Sequence, residues 1–309
     1  MLIESFFLII GLVLLYYGSE FLVKGASSTA LLLSVKPVIV GLTIVSFATS
    51  APELLVSLVA AFNESQGISV GNILGSNVIN IGLVLGLSAV FKTIHIHRQI
   101  IRFDMPFMLA ACVLFGLFCM DGHIDQIDGA ILLGLLIGYL ILGILNSKDK
   151  NNTVHPEKTL KKFSINLFLV VFGIAALAKG ASLVVESAIY MARCIGLTEA
   201  FIGISIVAMG TSLPELATSV VAAAKNESDL SLGNIVGSNL FNICLVMGII
   251  GIISPIHIDK AILNFKFPFM IIITFILYGF ALFKKKIERR TGFVFIFLFL
   301  FYIIMSYYK

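Results

Sequence analysis

Residues 41–90 and 203–252 are one fifty-residue text written twice, and each copy sets a glutamate inside a long apolar run. The first copy reads GLTIVSFATSAPELLVSLVAAFNESQGISVGNILGSNVINIGLVLGLSAV, and the second reads GISIVAMGTSLPELATSVVAAAKNESDLSLGNIVGSNLFNICLVMGIIGI. Glu53 aligns with Glu215 at an offset of 162, and 24 of the 50 aligned positions are identical. Most identities are small or polar: Thr49/Thr211, Ser50/Ser212, Pro52/Pro214, Gly71/Gly233, Gly75/Gly237, Ser76/Ser238, Asn77/Asn239 and Asn80/Asn242. Duplicated helices that only faced lipid would need only to stay apolar. Hydroxyls, amides and a carboxylate kept in both copies point to a site that the two copies build together.

The rest of the composition places that site in a bilayer. Of 309 residues, 59% are hydrophobic and 12% charged, with a mean hydropathy of +1.07, against about 25% charged in a soluble domain. Apolar runs long enough to span, which takes about 20 residues, fall at 3–23, 37–62, 70–91, 103–120, 124–145, 163–190, 199–224, 232–253, 261–283 and 291–307, ten in all. They are continuous, so they predict helices and not the alternation of a barrel. The first run opens on Glu4 without a basic segment, which argues against a cleaved leader. With the N-terminus outside, the inside loops hold 15 Lys and Arg and the outside segments 4. This bias places both termini outside. The cations lie in short juxtamembrane loops, so the net charge of +4 reports topology and gives no support for a nucleic-acid partner. Cys112, Cys119, Cys194 and Cys244 have no metal-ligand spacing and read as packing residues.

The repeat extends beyond the fifty-residue block. The same offset pairs Gly11 with Gly173, Gly18 with Gly180, Ile94-His95-Ile96 with Ile256-His257-Ile258, and Pro106-Phe107-Met108 with Pro268-Phe269-Met270. After a one-residue slip, Gly129 pairs with Gly292 and Tyr139 with Tyr302. The chain thus divides into a five-helix repeat at 1–145, a polar inside linker at 146–162 and a second five-helix repeat at 163–309. Five is odd, so the second repeat enters from the opposite membrane face and the halves are antiparallel. The expected fold is an all-α membrane protein of ten transmembrane helices in two inverted repeats, with Glu53 and Glu215 meeting near the midplane.

The residues around the glutamates suit a hard cation. Pro52 and Pro214 have no N–H, so the carbonyls of Ala48 and Gly210 lose their helical donors and the helix must bend. In hydrocarbon such backbone survives only where protein, water or a cation meets it. Carboxylate, carbonyl and hydroxyl oxygens are the ligands of Ca2+ and other hard cations. Ser76 and Asn80, four apart, and Asn77 and Asn80, three apart, can add further oxygens. Two carboxylates are neutralised by one divalent or two monovalent ions. Glu20 and Lys24, also four apart, are expected to pair or snorkel, and His95 and His257 to lie at the interface. Motifs of an intramembrane hydrolase, HExxH, GxSxG or GxGD, do not occur, so the chain reads as no enzyme.

The two blocks resemble the α-repeats of the cation/Ca2+ exchanger superfamily, particularly its prokaryotic sodium/calcium exchangers. The family's GTSLPE appears here as Ala48-Thr49-Ser50-Ala51-Pro52-Glu53 and Gly210-Thr211-Ser212-Leu213-Pro214-Glu215, each followed by GNxxGSN. The resemblance implies an antiporter that exchanges Na+ for Ca2+ by alternating access, without a cofactor, as a monomer in a prokaryotic inner membrane. It implies that Glu53 and Glu215 bind both ions and that Thr49 and Thr211 add oxygens to Ca2+. The backbone at Ser46 and Ala208, with Ser50, Ser76, Ser212 and Ser238, would line flanking Na+ positions, and Asn80 and Asn242 would face the middle of the cluster. Ala48 departs from the signature glycine. Asn242 stands where many relatives have Asp, which removes one charge and keeps Ca2+/H+ or K+-dependent Na+/Ca2+ exchange as the alternative.

Overall fold

The structure, a computed structural model, describes residues 2–62, 66–145, 160–196, 208–258 and 262–308. Within them the chain is a bundle of helices: α1 (Leu2–Leu33), α2 (Pro37–Thr49), α3 (Ala51–Phe62), α4 (Ser69–Phe91), α5 (Ile100–Asp121), α6 (Gln126–Leu145), α7 (Leu160–Cys194), α8 (Ala208–Thr211), α9 (Leu213–Ala224), α10 (Ser228–Ile253), α11 (Ile262–Lys284) and α12 (Arg289–Tyr308). Eight are long and apolar enough to cross a membrane, or up to nine if α2 and α3, which meet at a 43° bend, are one broken span and not a re-entrant loop. Of the expected run at 199–224, α8 and α9 are seen, and residues 199–207 lie outside the described residues, as do 146–159 of the expected linker.

Two spans run past their apolar stretches. The first continues from residue 23 to Leu33, with Thr29 donating to the Gly25 carbonyl at 2.7 Å one turn back, as Ser19 does to Leu15 at 2.5 Å. The seventh helix starts at Leu160 and draws Lys161 and Lys162 from the expected linker into its first turn. The chain leaves α1 through Ser34, at φ 55°, and Pro37 opens α2, where a missing N–H costs nothing.

Glycines set how closely the helices approach. A methyl group on Gly11 would lie 2.9 Å from the Gly180 carbonyl, one on Gly18 2.9 Å from the Leu177 amide, and one on Gly25 2.9 Å from the Asn166 carbonyl. Position rises along α1 as it falls along α7, so the two are antiparallel and in backbone contact. Their packing belongs to a core separate from the main one, shared with α2, α9 and the start of α10 through Leu22, Val23, Val45, Leu177 and Val221. The main core surrounds α4 and α10, of which 78% and 83% is buried, against 33% for α1 and α7.

The contacts around α4 and α10 come in matched sets. Gly86 of α4 meets the Gly292 carbonyl of α12 at 3.0 Å from a built methyl, and Gly248 of α10 meets the Gly129 carbonyl of α6 at 3.1 Å. Short strands repeat the pattern where helices end: β1 (Ile94–His95) pairs with β4 (Lys286–Ile287), and β2 (His123–Ile124) with β3 (Ile256–His257). Both expected interfacial histidines therefore lie in strands at helix ends. Cys112, Cys119 and Cys244 are buried as packing residues, whereas Cys194 is exposed at the end of α7. Glu20 does not pair with Lys24. The α9–α10 turn passes closer, and Lys225 donates to Glu20 at 2.8 Å.

Backbone contact at these glycines makes a steric prediction. Gly18→Leu or Gly233→Leu should destabilise the protein by about 1–3 kcal/mol through overpacking, read as a lower thermal midpoint in detergent. Gly138→Ala, at a position where a built methyl meets nothing within 4 Å, should leave the midpoint unchanged or raise it.

Candidate cation-binding site

Both glutamates stand one turn beyond a helix break. Ser50 ends α2 at φ −83° and ψ 3°, and Ser212 precedes α9 at φ −88° and ψ 6°. Each break lies two residues before its proline, where the chain can no longer supply the helical hydrogen bond. Glu53 and Glu215 are wholly buried in the first turns of α3 and α9, whose unpaired N–H groups favour an anion.

Each carboxylate is held by a serine of the other copy. Ser212 Oγ donates to Glu53 Oε1 at 3.1 Å, and Ser50 Oγ donates to Glu215 Oε1 at 3.1 Å. Ser238 adds a 3.4 Å contact to the same Glu215 oxygen. Thr211 also hydrogen-bonds Glu53. The Thr49 hydroxyl sits among Glu215, the Asn234 Oδ1 at 3.1 Å and the Ser238 hydroxyl at 3.4 Å, and its single proton serves one acceptor at a time. Ser46 is buried. Its carbonyl accepts the Ser50 N–H at 2.9 Å and has the Thr49 hydroxyl at 3.4 Å, and Ala208 opens α8 at the matching position.

Two asparagines reach this region from wide, π-type turns, a distortion common at functional sites. Asn80 begins one such turn at Asn80–Leu85, and Asn242 lies in the other at Phe241–Val246. Asn80 Nδ2 donates to Asn239 Oδ1 at 3.1 Å, which fixes the amide and leaves Asn80 Oδ1 without a partner. Asn242 is buried with neither amide atom partnered, and Ser76 Oγ is likewise buried and unpartnered. So are Glu53 Oε2 and Glu215 Oε2. Buried polar atoms normally find partners. These orphans comprise carboxylate, amide and hydroxyl oxygens, the donors a hard cation takes. Among the described residues no three His, Cys, Asp or Glu gather, and the unpartnered oxygens named above come from two carboxylates, amides and a hydroxyl. A cavity of about 100 Å³ lies between the two helix breaks and the middle of α7, lined by Thr49, Pro52, Pro214, Ile174 and Leu177 among others.

Behind the site lies a supporting layer that motif reading passed over. Asn72 Nδ2 donates to Ser57 Oγ at 3.0 Å, and Asn234 Nδ2 to Ser219 Oγ at 3.0 Å. Ser69 donates to the Ser57 carbonyl at 3.0 Å, and Ser231 to that of Ser219 at 2.9 Å. All three residue pairs are identical between the copies, and that identity was the available signal. A further buried acid, Asp104, accepts from the Tyr139 hydroxyl at 2.9 Å and has no acidic counterpart, since the repeat places Lys266 there.

Helices broken at paired prolines around two buried carboxylates define a cation transporter, and comparison with known proteins specifies which kind. The sodium/calcium exchanger protein family matches residues 4–145 and 165–308, and the chain belongs to that family. Its members are transporters of Na+ and Ca2+, not enzymes, and need no cofactor. The chain is 38% identical over 271 residues to the putative antiporter CaxA of Alkalimonas amylolytica, covering 84% of each. It is 30% identical to the sodium/calcium exchanger MaX1 of Methanosarcina acetivorans, covering 97% of each. A solved structure of the sodium-calcium exchanger NCX_Mj superposes with a TM-score of 0.88 at 32% identity, covering 98% of this chain and 99% of that one.

The supporting layer can be tested apart from the ligands. Ser219→Ala removes the acceptor of Asn234 Nδ2, a loss of about 1–3 kcal/mol for a buried unsatisfied group. Calorimetric titration should show weaker Ca2+ binding in this variant with both glutamates intact.

Proposed function

We propose that this antiporter exchanges Na+ for Ca2+ by alternating access at a single site near the membrane midplane, shared by two inverted five-helix repeats. The observation that carries this reading is reciprocal. Ser50 holds Glu215 and Ser212 holds Glu53, while the second oxygen of each carboxylate is buried without a partner. A site stitched across two copies changes whenever one copy moves against the other, which is the coupling that alternating access requires.

In this reading Glu53 and Glu215 bind both ions in turn. Thr49, Thr211, Asn80 and Asn242 supply neutral oxygens at the centre, and Ser50, Ser76, Ser212 and Ser238, with the carbonyls of Ser46 and Ala208, supply flanking Na+ positions. With asparagine at both 80 and 242, the site holds two negative charges. One Ca2+ or two Na+ neutralise it, and further Na+ would bind at the expense of excess positive charge. The cavity beside α7 offers an approach to the breaks from one side. Both termini face outside, following the distribution of Lys and Arg. A prokaryotic inner membrane suits a chain 33% identical over 285 residues to the inner membrane protein YrbG of Escherichia coli. The working unit in this reading is a monomer.

Reconstituted in liposomes, the protein should take up labelled Ca2+ when an outward Na+ gradient is imposed, and K+ or pH gradients of the same size should not drive uptake. Uptake that follows the pH gradient and ignores Na+ would replace this reading with Ca2+/H+ exchange, and dependence on K+ would replace it with K+-coupled exchange. Glu53→Gln and Glu215→Gln should each abolish uptake while leaving the protein folded, as judged by size-exclusion behaviour and thermal midpoint.

A further inference from the structure

The end of the bundle that carries Lys92 and Arg289 holds a cavity of about 460 Å³ that the transport site does not use, lined by Phe91, Lys92, His95, Asn226, Ser228 and Arg289 among others. Its depth is set by the helices beside it. The α4 span ends at Phe91, and the α12 span begins at Arg289, so the cavity lies where hydrocarbon gives way to headgroups. Its chemistry is two-sided. Phe91, 69% exposed, continues the apolar surface of α4, and the remaining named residues are polar or cationic.

The positive charge is free to act. Neither Lys92 nor Arg289 has an ion-pair partner among the described residues, and Arg289 rests over the Phe293 ring at 6.0 Å. Of the acids nearest the lining in sequence, Glu288 pairs with Lys286 at 2.5 Å and Asp229 with His97 at 2.7 Å, while Glu227, between Asn226 and Ser228, pairs with no cation among the described residues and sets one negative charge against the two positive ones. Ser228 and Arg289, both in the lining, are also the first residues of α10 and α12. The β1–β4 pairing, with the Ile96 N–H on the Lys285 carbonyl at 2.9 Å, ties the two cationic segments together.

We propose that this cavity binds the phosphate of an anionic phospholipid, with Lys92 and Arg289 on the phosphate, Asn226 and Ser228 toward the glycerol or headgroup hydroxyls, and Phe91 along the first acyl carbons. A soluble phosphate would fill the polar half and leave the Phe91 wall unused, so the lipid is the better match. The position matters because the cavity joins the end of α4, which carries Ser76 and Asn80, to the turn between α9 and α10, which carry Glu215 and Ser238. A lipid seated there clamps elements of both copies behind the site.

The test is native mass spectrometry of the full-length protein in detergent, titrated separately with phosphatidylglycerol, with phosphatidylcholine and with inorganic phosphate. Each membrane-surface cation contributes roughly fivefold in affinity for an anionic lipid, so Lys92→Gln with Arg289→Gln should weaken phosphatidylglycerol binding about 25-fold on that scale. Lys284→Gln with Arg290→Gln, which removes two nearby cations that do not line the cavity, should change it less than about twofold. Arg289→Lys, which keeps the charge, should retain binding and guards against a folding defect in the double variant. Equal losses in the two double variants would overturn the proposal in favour of diffuse surface attraction. Phosphatidylcholine binding as tightly as phosphatidylglycerol, or displacement of the lipid by inorganic phosphate, would overturn it as well.

Discussion

Two carboxylates buried side by side in a membrane protein constrain everything around them. A single charged acid at the bilayer centre costs about 2.5–3.5 kcal/mol on insertion scales, and two such charges repel one another. The chain answers with oriented dipoles: serine hydroxyls from the opposite copy, threonine hydroxyls beside them, and the N-terminal turns of α3 and α9. Those turns exist only because the spans break at Ser50 and Ser212. The breaks in turn need close neighbours to shield the exposed backbone, and the glycines of α2 and α10 allow that approach, since a methyl on Gly233 would lie 2.8 Å from the Val38 carbonyl. Loosening any of these features leaves the acids without the partners that make their burial tolerable.

The two cores divide the labour. The main one encloses α4 and α10, the helices that bring Ser76, Asn80, Ser238 and Asn242, and the Gly86–Gly292 and Gly129–Gly248 contacts within it cross between the two halves. The α1–α7 pair is joined to itself by backbone-to-backbone glycine contact, and it meets the rest through a smaller cluster of aliphatic residues. Its outer face is largely exposed, with Phe6, Tyr16, Phe168 and Val171 turned away from the bundle. The pair is thus packed closely within itself and shares only the smaller core with the remaining helices.

Much of the site was legible because duplication marks it. Thr49, Ser50, Pro52 and Glu53 repeat at Thr211, Ser212, Pro214 and Glu215, and the structure brings both sets to the same pair of carboxylates. The crossing of partners, each serine serving the other copy's glutamate, was not legible, because sequence alignment pairs a residue with its equivalent and says nothing of which copy it touches. Ser57 and Ser219 were passed over although identical, since a serine in an apolar helix reads as packing until the amide that donates to it is seen. Length was the weaker inference in the fold. Hydropathy ended the first span near residue 23, whereas the helix runs on to Leu33 through Gly25, Ala26, Ser27, Ser28, Thr29 and Ala30, residues too small or polar to extend an apolar run. The Glu20–Lys24 spacing suggested a local pair, but a distant lysine, Lys225, came within 2.8 Å once the bundle closed.

The copies are not equal at the site. Glu215 receives Ser50 and Ser238, while Glu53 receives Ser212 and the matching Ser76 stays unbonded. The two halves therefore present unlike oxygens to the space between the carboxylates: Ser238 has its hydroxyl committed to Glu215, whereas Ser76 keeps its hydroxyl open.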